Sequence, residues 1–480
     1  MSSTASGVER TGILIDGKWE SGNGTFDVME KFTGKTLATV ARASLEQVNK
    51  AVDAARRSFE EQPLEPYRRY EILSRASLLV GQRRQELVQT IVGESGFTVS
   101  DAAVEVNRCI QTLMISAEEA KRIAGEMVPL EGAPGQAHRL AFTIRVPRGV
   151  ICAITPFNSP LNTVTHKIAP ALAAGNTVVL KPASYTPLTA AILCEILIEA
   201  GLPPGHINLV NGPGGETGRW LAANPHIKFY AFTGSTAVGK ALHQAVGLRQ
   251  TALELGSIAA TIVCEDANLE WALPRCVAAS FRKAGQVCTS VQRLYVHDSV
   301  VDRFTEMLRE KTVAAKVGDP YNAETLTGPM ISGGEAERAE AWVSEAIRGG
   351  ARLVCGGKRE GSILEPTILI GVKPEMRVMC EEIFAPVISI VPYGSFDDAV
   401  DSINGTPYGL ATGVFTNDLS RALAAAKRLH VGSVHINETS SSRVDLMPYA
   451  GAKDSGFGRE GPRYSIQEMT EERLVTISRI

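Results

Sequence analysis

Between residues 150 and 233 short β-rich runs alternate with helix-like stretches, and no other feature of the chain restricts its fold as much. The runs are VICAIT (150–155), TVVL (177–180), INLV (207–210) and KFYAFT (228–233). Between the second and third lies TPLTAAILCEILIEAG, with Thr186 at the N-cap, Pro187 at the first helical position and Gly201 at the stop. Strand, helix and strand in repetition predict a parallel sheet covered by helices. The alternation restarts at TIVC (261–264), continues through a helix-like stretch from Asn268 and RLYVH (293–297), and runs on to about 436. The chain is therefore expected to fold as two α/β halves meeting near residue 254, with a cleft at the joint.

The first 130 residues read mainly as helices. Ser44 and Gln47 have capping-box spacing, and Val48, Val52, Ala55 and Phe59 then form one apolar stripe. The C-terminal EERLVTISRI is a short β-rich tail, able to pair within the chain or with a second subunit.

With 480 residues, two or three domains are expected. A net charge of -3 gives no global field for nucleic acid. The opening MSSTASGVERTGILIDGKWE has no basic region followed by an apolar run, and no stretch approaches the length of a membrane span. A cytoplasmic location is the resulting expectation. Eight cysteines are scattered singly, with no CxxC pair, and the histidines show neither HExxH nor HxxxH spacing, so no metal site is expected. The chemistry is expected to use side chains and an organic cofactor.

FTGSTAVGKA (232–241) passes from a β-rich stretch into a helix, a junction that aims backbone N–H groups at an anion. Its Gly234-x4-Gly239-Lys240 spacing is that of a phosphate loop, but Ala241 stands where a magnesium-binding hydroxyl is needed, which disfavours an ATPase. The GxGxxG dinucleotide fingerprint is also missing.

The blocks TPFNSP (155–160), LKPASYTP (180–187), FTGSTAVG (232–239), LELGS (253–257), GQVCTS (285–290), EEIFAPV (381–387) and GAKDSGFGREG (451–461) occur in one order along the chain. With these blocks the sequence resembles the aldehyde dehydrogenase superfamily from about residue 11 to the end. The resemblance implies an α/β fold with a dinucleotide-binding domain (1–126 and 148–253), a catalytic domain (254–465) and oligomerisation strands (127–147 and 466–480). It implies Cys288 as nucleophile, Asn158 as oxyanion-hole amide and Glu254 as the base that activates water. Oxidation of an aldehyde would then pass through a thiohemiacetal and a thioester to the acid. For an NAD or NADP cofactor it implies contacts from Thr155, Lys181, Ser184, Ser235, Glu382 and Phe384, and it implies a homodimer or homotetramer.

The sequence departs from the family pattern at several places. Ser184 replaces a residue that is acidic in many NAD-preferring members, which favours tolerance of NADP because a serine does not repel a 2′-phosphate. Ser257 and Ile258 stand where glycine and lysine are common, and Ala385 stands for a glycine. Arg108 and Arg443 occupy positions where members acting on anionic aldehydes carry arginine, while Val287 precedes the cysteine where phosphate-specific members place arginine. A small hydroxyaldehyde or semialdehyde is the expected substrate, as in the lactaldehyde and succinate semialdehyde branches. Three other readings stand beside this one: an acylating, coenzyme A-dependent enzyme, a binding protein on the same fold, and a cysteine hydrolase. Glu254 argues against the first, the Cys288, Glu254 and Asn158 set against the second, and the lack of a local histidine signature against the third.

Overall fold

The computed structural model describes residues 10–478. Residues 1–9, on which the reading of the N-terminal start partly rests, and the last two residues of the terminal tail lie outside that range.

Strands from the four predicted runs, joined by Gln250–Glu254, which the sequence reading did not single out, form the parallel centre of an eight-stranded sheet. Strand Val150–Ile154 lies in the middle, with Thr177–Lys181 and then Ile207–Leu209 on one side. Ile227–Thr233 and then Gln250–Glu254 lie on the other. The chain thus winds outward in one direction, returns to the centre and winds outward in the other. Ligands of such sheets bind beyond the carboxyl ends of the strands where the winding reverses. The strand Thr177–Lys181 is buried along its whole length, as its β-branched, apolar run requires. Helix Pro187–Glu199 is buried on nearly every side, and the Glu94 carboxylate accepts from the N–H groups of Leu188 and Thr189 at its first turn.

The second sheet has seven strands, six of them parallel, and opens at Ala260–Val263 directly after the first sheet has reached Glu254. The helix expected from Asn268 is Leu269–Phe281, with the Asn268 side chain accepting from the Trp271 N–H. A third, antiparallel sheet is built from Met127–Val128, Arg139–Pro147 and Thr470–Ser478. The terminal strand therefore pairs within the chain, along its full length from Thr470 opposite Pro147 to Ser478 opposite Arg139.

The N-terminal part departs from the helical reading. Helices Leu45–Glu61, Pro66–Gln82, Arg84–Ser95 and Val99–Ala120 are present, and Ser44 and Gln47 close a reciprocal capping box. Before them, however, residues 13–41 form four strands. Ile13–Ile15 and Lys18–Glu20 extend the first sheet at its edge, and Thr25–Met29 pairs with Thr36–Ala41 as a separate hairpin. Strands of three residues carry too little periodicity to register, and their edge positions tolerate polar residues.

Candidate active site

A cleft of about 1140 Å³ opens at the winding reversal, walled on one side by the carboxyl ends of the first sheet and on the other by loops of the second. Thr155, Lys181, Thr233 and Glu254, from the ends of four neighbouring strands, all line it. So do Asn158, Ser184, Ser235, Cys288, Glu382, Phe384, Arg108 and Arg443, which brings together every site residue expected from the sequence.

Cys288 follows an unusual turn. Lys283, Ala284 and Gly285 have φ of 53°, 52° and 67°, three successive residues in the left-handed region. Such a conformation costs a non-glycine residue on the order of 1 kcal/mol or more and persists only where its surroundings enforce it. Here Lys283 does so. Its N–H donates to Asp101 Oδ2 (3.1 Å), and its buried ammonium donates to Glu105 Oε2 (2.9 Å) and to the Asn158 carbonyl (3.1 Å). Glu105 in turn accepts from Ser159 Oγ (2.5 Å) and the Asn162 N–H (2.9 Å). Burial opposes the Glu105 charge, but Lys283 and these donors hold its pKa below the usual value. One buried ion pair thus ties the cysteine loop to the segment that carries Asn158. Gly285 has no alternative at its position, because a Cβ there would sit 2.1 Å from the Ala385 carbonyl oxygen.

The Asn158 side-chain amide has no protein partner among the described residues and faces the cleft. Cys288 Sγ lies 3.0 Å from Tyr449 Oη. Burial pushes the Cys288 thiol up to about 11; the Tyr449 hydroxyl and Arg443 act in the opposite direction, while Glu382 and Glu254 reinforce the rise. Glu254 is buried, and neither of its carboxylate oxygens has a hydrogen-bond partner among the described residues. Burial and the nearby Glu460 raise its pKa well above the carboxylate range, with Lys167 and Arg443 opposing. Burial also disfavours the charge of Glu460, but Lys167 (2.8 Å) and Arg443 (2.9 Å) keep it ionised. Of this carboxylate pair, Glu254 is the member that takes up a proton more readily.

The dinucleotide side of the cleft carries unsatisfied or available polar groups. Thr155 Oγ1 is buried without a partner among the described residues, and Ser235 begins helix Thr236–Val246 with its hydroxyl unused as a cap. That helix follows strand Ile227–Thr233, as the glycine-rich segment predicted, and its free N–H groups suit an anion such as a pyrophosphate. Lys181 donates to the Pro182 carbonyl (3.1 Å), and burial lowers its pKa to about 8. The Ser184 hydroxyl donates to the Gly212 carbonyl (2.9 Å). Glu382 accepts from the Ser257 N–H (2.8 Å), and burial raises it to about 7. Phe384, at φ 49°, meets Phe157 edge to face at 5.9 Å. These groups fit a nicotinamide dinucleotide.

Arg108 and Arg443 line the cleft, but each already holds a carboxylate. Arg108 makes a two-point contact with Asp445 (2.7 and 3.3 Å), and Arg443 pairs with Glu460 and stacks on the Tyr449 ring at 3.9 Å. Sequence reasoning passed over two other cleft residues. Arg282, six residues before Cys288, donates to Ser441 Oγ (2.7 Å) and has no carboxylate partner among the described residues. The paired cations of FRKAGQVC, in an otherwise apolar stretch, were the available signal. Tyr449, in the segment that leads to the last glycine-rich block, carried no such signal.

A cleft at the reversal of a parallel sheet, with an oriented thiol and a buried carboxylate beside it, is the arrangement of a dinucleotide-dependent oxidoreductase. The aldehyde dehydrogenase family model matches residues 19–475, and the chain belongs to that family. It is an NAD(P)-dependent oxidoreductase that converts an aldehyde to the carboxylic acid. It is 46% identical to the 3-sulfolactaldehyde dehydrogenase of Priestia aryabhattai, over 98% of each chain. Aldehyde dehydrogenase 21 of Physcomitrella patens, solved with the reaction product succinate, superposes with a TM-score of 0.95 at 36% identity, covering 97% of this chain and 98% of that one. A glyceraldehyde-3-phosphate dehydrogenase of Methanocaldococcus jannaschii, complexed with NADP, gives 0.92 at 37% identity, over 95% of this chain and 100% of that one.

Proposed function

We propose that this chain oxidises a short aldehyde whose far end carries a single negative charge, a sulfonate or a carboxylate, and that Arg282 holds that end. The observation that carries the reading is the state of Arg282. It is a guanidinium in the same cleft as Cys288, with only the Ser441 hydroxyl as a side-chain partner among the described residues. Ser441 Oγ also lies 3.2 Å from Thr289 Oγ1, so the chain of hydroxyls runs back to the residue beside the nucleophile. A fork of N–H donors beside hydroxyls suits an oxyanion tail. The names of the relatives, 3-sulfolactaldehyde dehydrogenase and an enzyme bound to succinate, support the same substrate class.

In this reading Cys288 Sγ attacks the aldehyde carbon, and the Asn158 amide and the Cys288 N–H receive the oxyanion. When bound, the nicotinamide dinucleotide supplies the hydride acceptor, held by Thr155, Lys181, Ser235, Glu382 and Phe384. Ser184 leaves room for NADP as well as NAD, since it sets no charge against a 2′-phosphate. Glu254 then takes a proton from the water that hydrolyses the Cys288 thioester. The described residues of 1–126, with 148–253, form the dinucleotide-binding domain and 254–465 the catalytic domain. The strands within 127–147 and 466–480 join subunits into a homodimer or homotetramer. No helix among the described residues is long and apolar enough to cross a membrane, and a cytoplasmic enzyme is part of the proposal.

The test compares kcat/KM for 3-sulfolactaldehyde, succinate semialdehyde, lactaldehyde and glyceraldehyde 3-phosphate in the wild type and in Arg282→Gln. The substitution should cost roughly 10- to 100-fold with the best anionic aldehyde, the worth of a charged hydrogen bond, and less than about threefold with neutral lactaldehyde. An equal loss on both kinds of substrate removes Arg282 from tail recognition.

A further inference from the structure

Tyr449 is the only side chain of the described residues within hydrogen-bonding distance of the Cys288 sulfur, at 3.0 Å. We propose that its phenol is a catalytic hydrogen-bond donor to that sulfur, stabilising the thiolate that attacks the aldehyde. The inference rests on Cys288 being the nucleophile.

The direction of the bond follows from chemistry. A phenol O–H is a strong donor and a thiol S–H a weak one, so the proton lies on oxygen when the two meet. Two surroundings strengthen the donor. The Arg443 guanidinium lies over the Tyr449 ring, 3.9 Å from its centre, and draws charge from the phenol. The Tyr449 backbone is fixed as well, because it exchanges both hydrogen bonds with Glu460, N–H to carbonyl at 3.1 Å and 2.7 Å. Glu460 in turn grips Arg443 through its side chain. Phenol, guanidinium and carboxylate thus hold one another in register beside the sulfur. The need for such a donor is plain from the other charged groups that face Cys288. Arg443 favours the thiolate, whereas Glu254, Glu382 and burial all oppose it. Among the described residues the phenol is the uncharged side chain that offsets them by direct contact.

Tyr449→Phe removes one oxygen and leaves the ring, so the fold is kept. The first readout is alkylation of Cys288 by iodoacetamide as a function of pH in the intact enzyme, followed on the Cys288 peptide by mass spectrometry. The midpoint in Tyr449→Phe should lie about one pH unit above that of the wild type, the shift expected for one lost hydrogen bond to a charged sulfur. The second is the single-turnover burst of reduced dinucleotide at pH 7, which should slow about tenfold. An unchanged or lowered midpoint overturns the proposal. Cys288→Ser separates this from the reading beneath it. Turnover surviving in that variant overturns the nucleophile assignment, while its loss together with an unshifted Tyr449→Phe profile overturns the phenol alone.

Discussion

In the role of base proposed for it, Glu254 serves the chemistry at a cost to the fold. A base must be deprotonated to act, and burial raises its pKa well above the carboxylate range. The rate of thioester hydrolysis should therefore rise with pH along a limb displaced above that range, and Glu254→Gln should remove the limb. In that variant a burst of reduced dinucleotide, stoichiometric with sites, should precede a slow steady state, because hydride transfer comes before the water step. Loss of the burst itself would mean that Glu254 shapes the thiol site instead. Stability should move the other way. A pKa raised in the folded state contributes stability that is complete below the unfolded value and lost as pH rises through the folded value. Above that point the ionised, unpartnered carboxylate weighs against the fold. Glu254→Gln should accordingly unfold at higher denaturant than the wild type at pH 8, and at a similar concentration at pH 4.

At the scale of elements, the loop before Cys288 depends on a partner in a different part of the chain. Lys283 on that loop and Glu105 on helix Val99–Ala120 are 178 residues apart in sequence, and both are buried. Removing one member of a buried pair leaves the other charge uncompensated, at a cost of about 3–5 kcal/mol. Lys283→Met should show that loss in denaturant unfolding and should slow the burst by releasing the left-handed turn. Adding Glu105→Gln should recover most of the stability but not the burst; recovery of both would make the pair dispensable to the turn. This pair also marks where reading the sequence stops. Strands such as Val150–Ile154 and the helix after Thr186 were legible because their hydrophobic period and end residues are local. Cys288, Glu254 and Asn158 were legible because their blocks resemble a known family. The strands of residues 13–41 were not, since Ile13–Ile15 and Lys18–Glu20 are short and take their register from the sheet edge they join, while Thr25–Met29 and Thr36–Ala41 pair only with each other. Neither were the partners of Arg108 and Arg443, nor the Glu105–Lys283 pair, because carboxylates 337, 17 and 178 positions from their cations, brought close only by the fold, leave no periodic trace.

For the whole molecule the third sheet poses the question of assembly. Side chains paired directly across antiparallel strands share a face, so the register of Arg139–Pro147 against Thr470–Ser478 and Met127–Val128 can be read as a surface. One face carries Met127, Leu140, Phe142, Ile144, Val475 and Ile477, with Arg473 opposite Ile144 and Glu471 opposite Val146 toward its far end. Leu140 and Ile477 stand opposite each other and are 48% and 52% exposed, and Met127 is 67% exposed. The apolar end of this face, around Met127, Leu140, Phe142, Val475 and Ile477 beside the edge strand Thr470–Ser478, is costly in water and matches the proposed subunit contact. The test is the pair Leu140→Glu with Ile477→Lys. The two new charges lie opposite each other and satisfy one another on the sheet, so the fold of the single chain is spared while the face becomes polar. Light scattering should give the wild type a mass of two or four chains and the double variant that of one. Should the double variant keep the wild-type mass, the subunits meet elsewhere. A single-chain mass already in the wild type would show that this face is not an interface between copies of the chain.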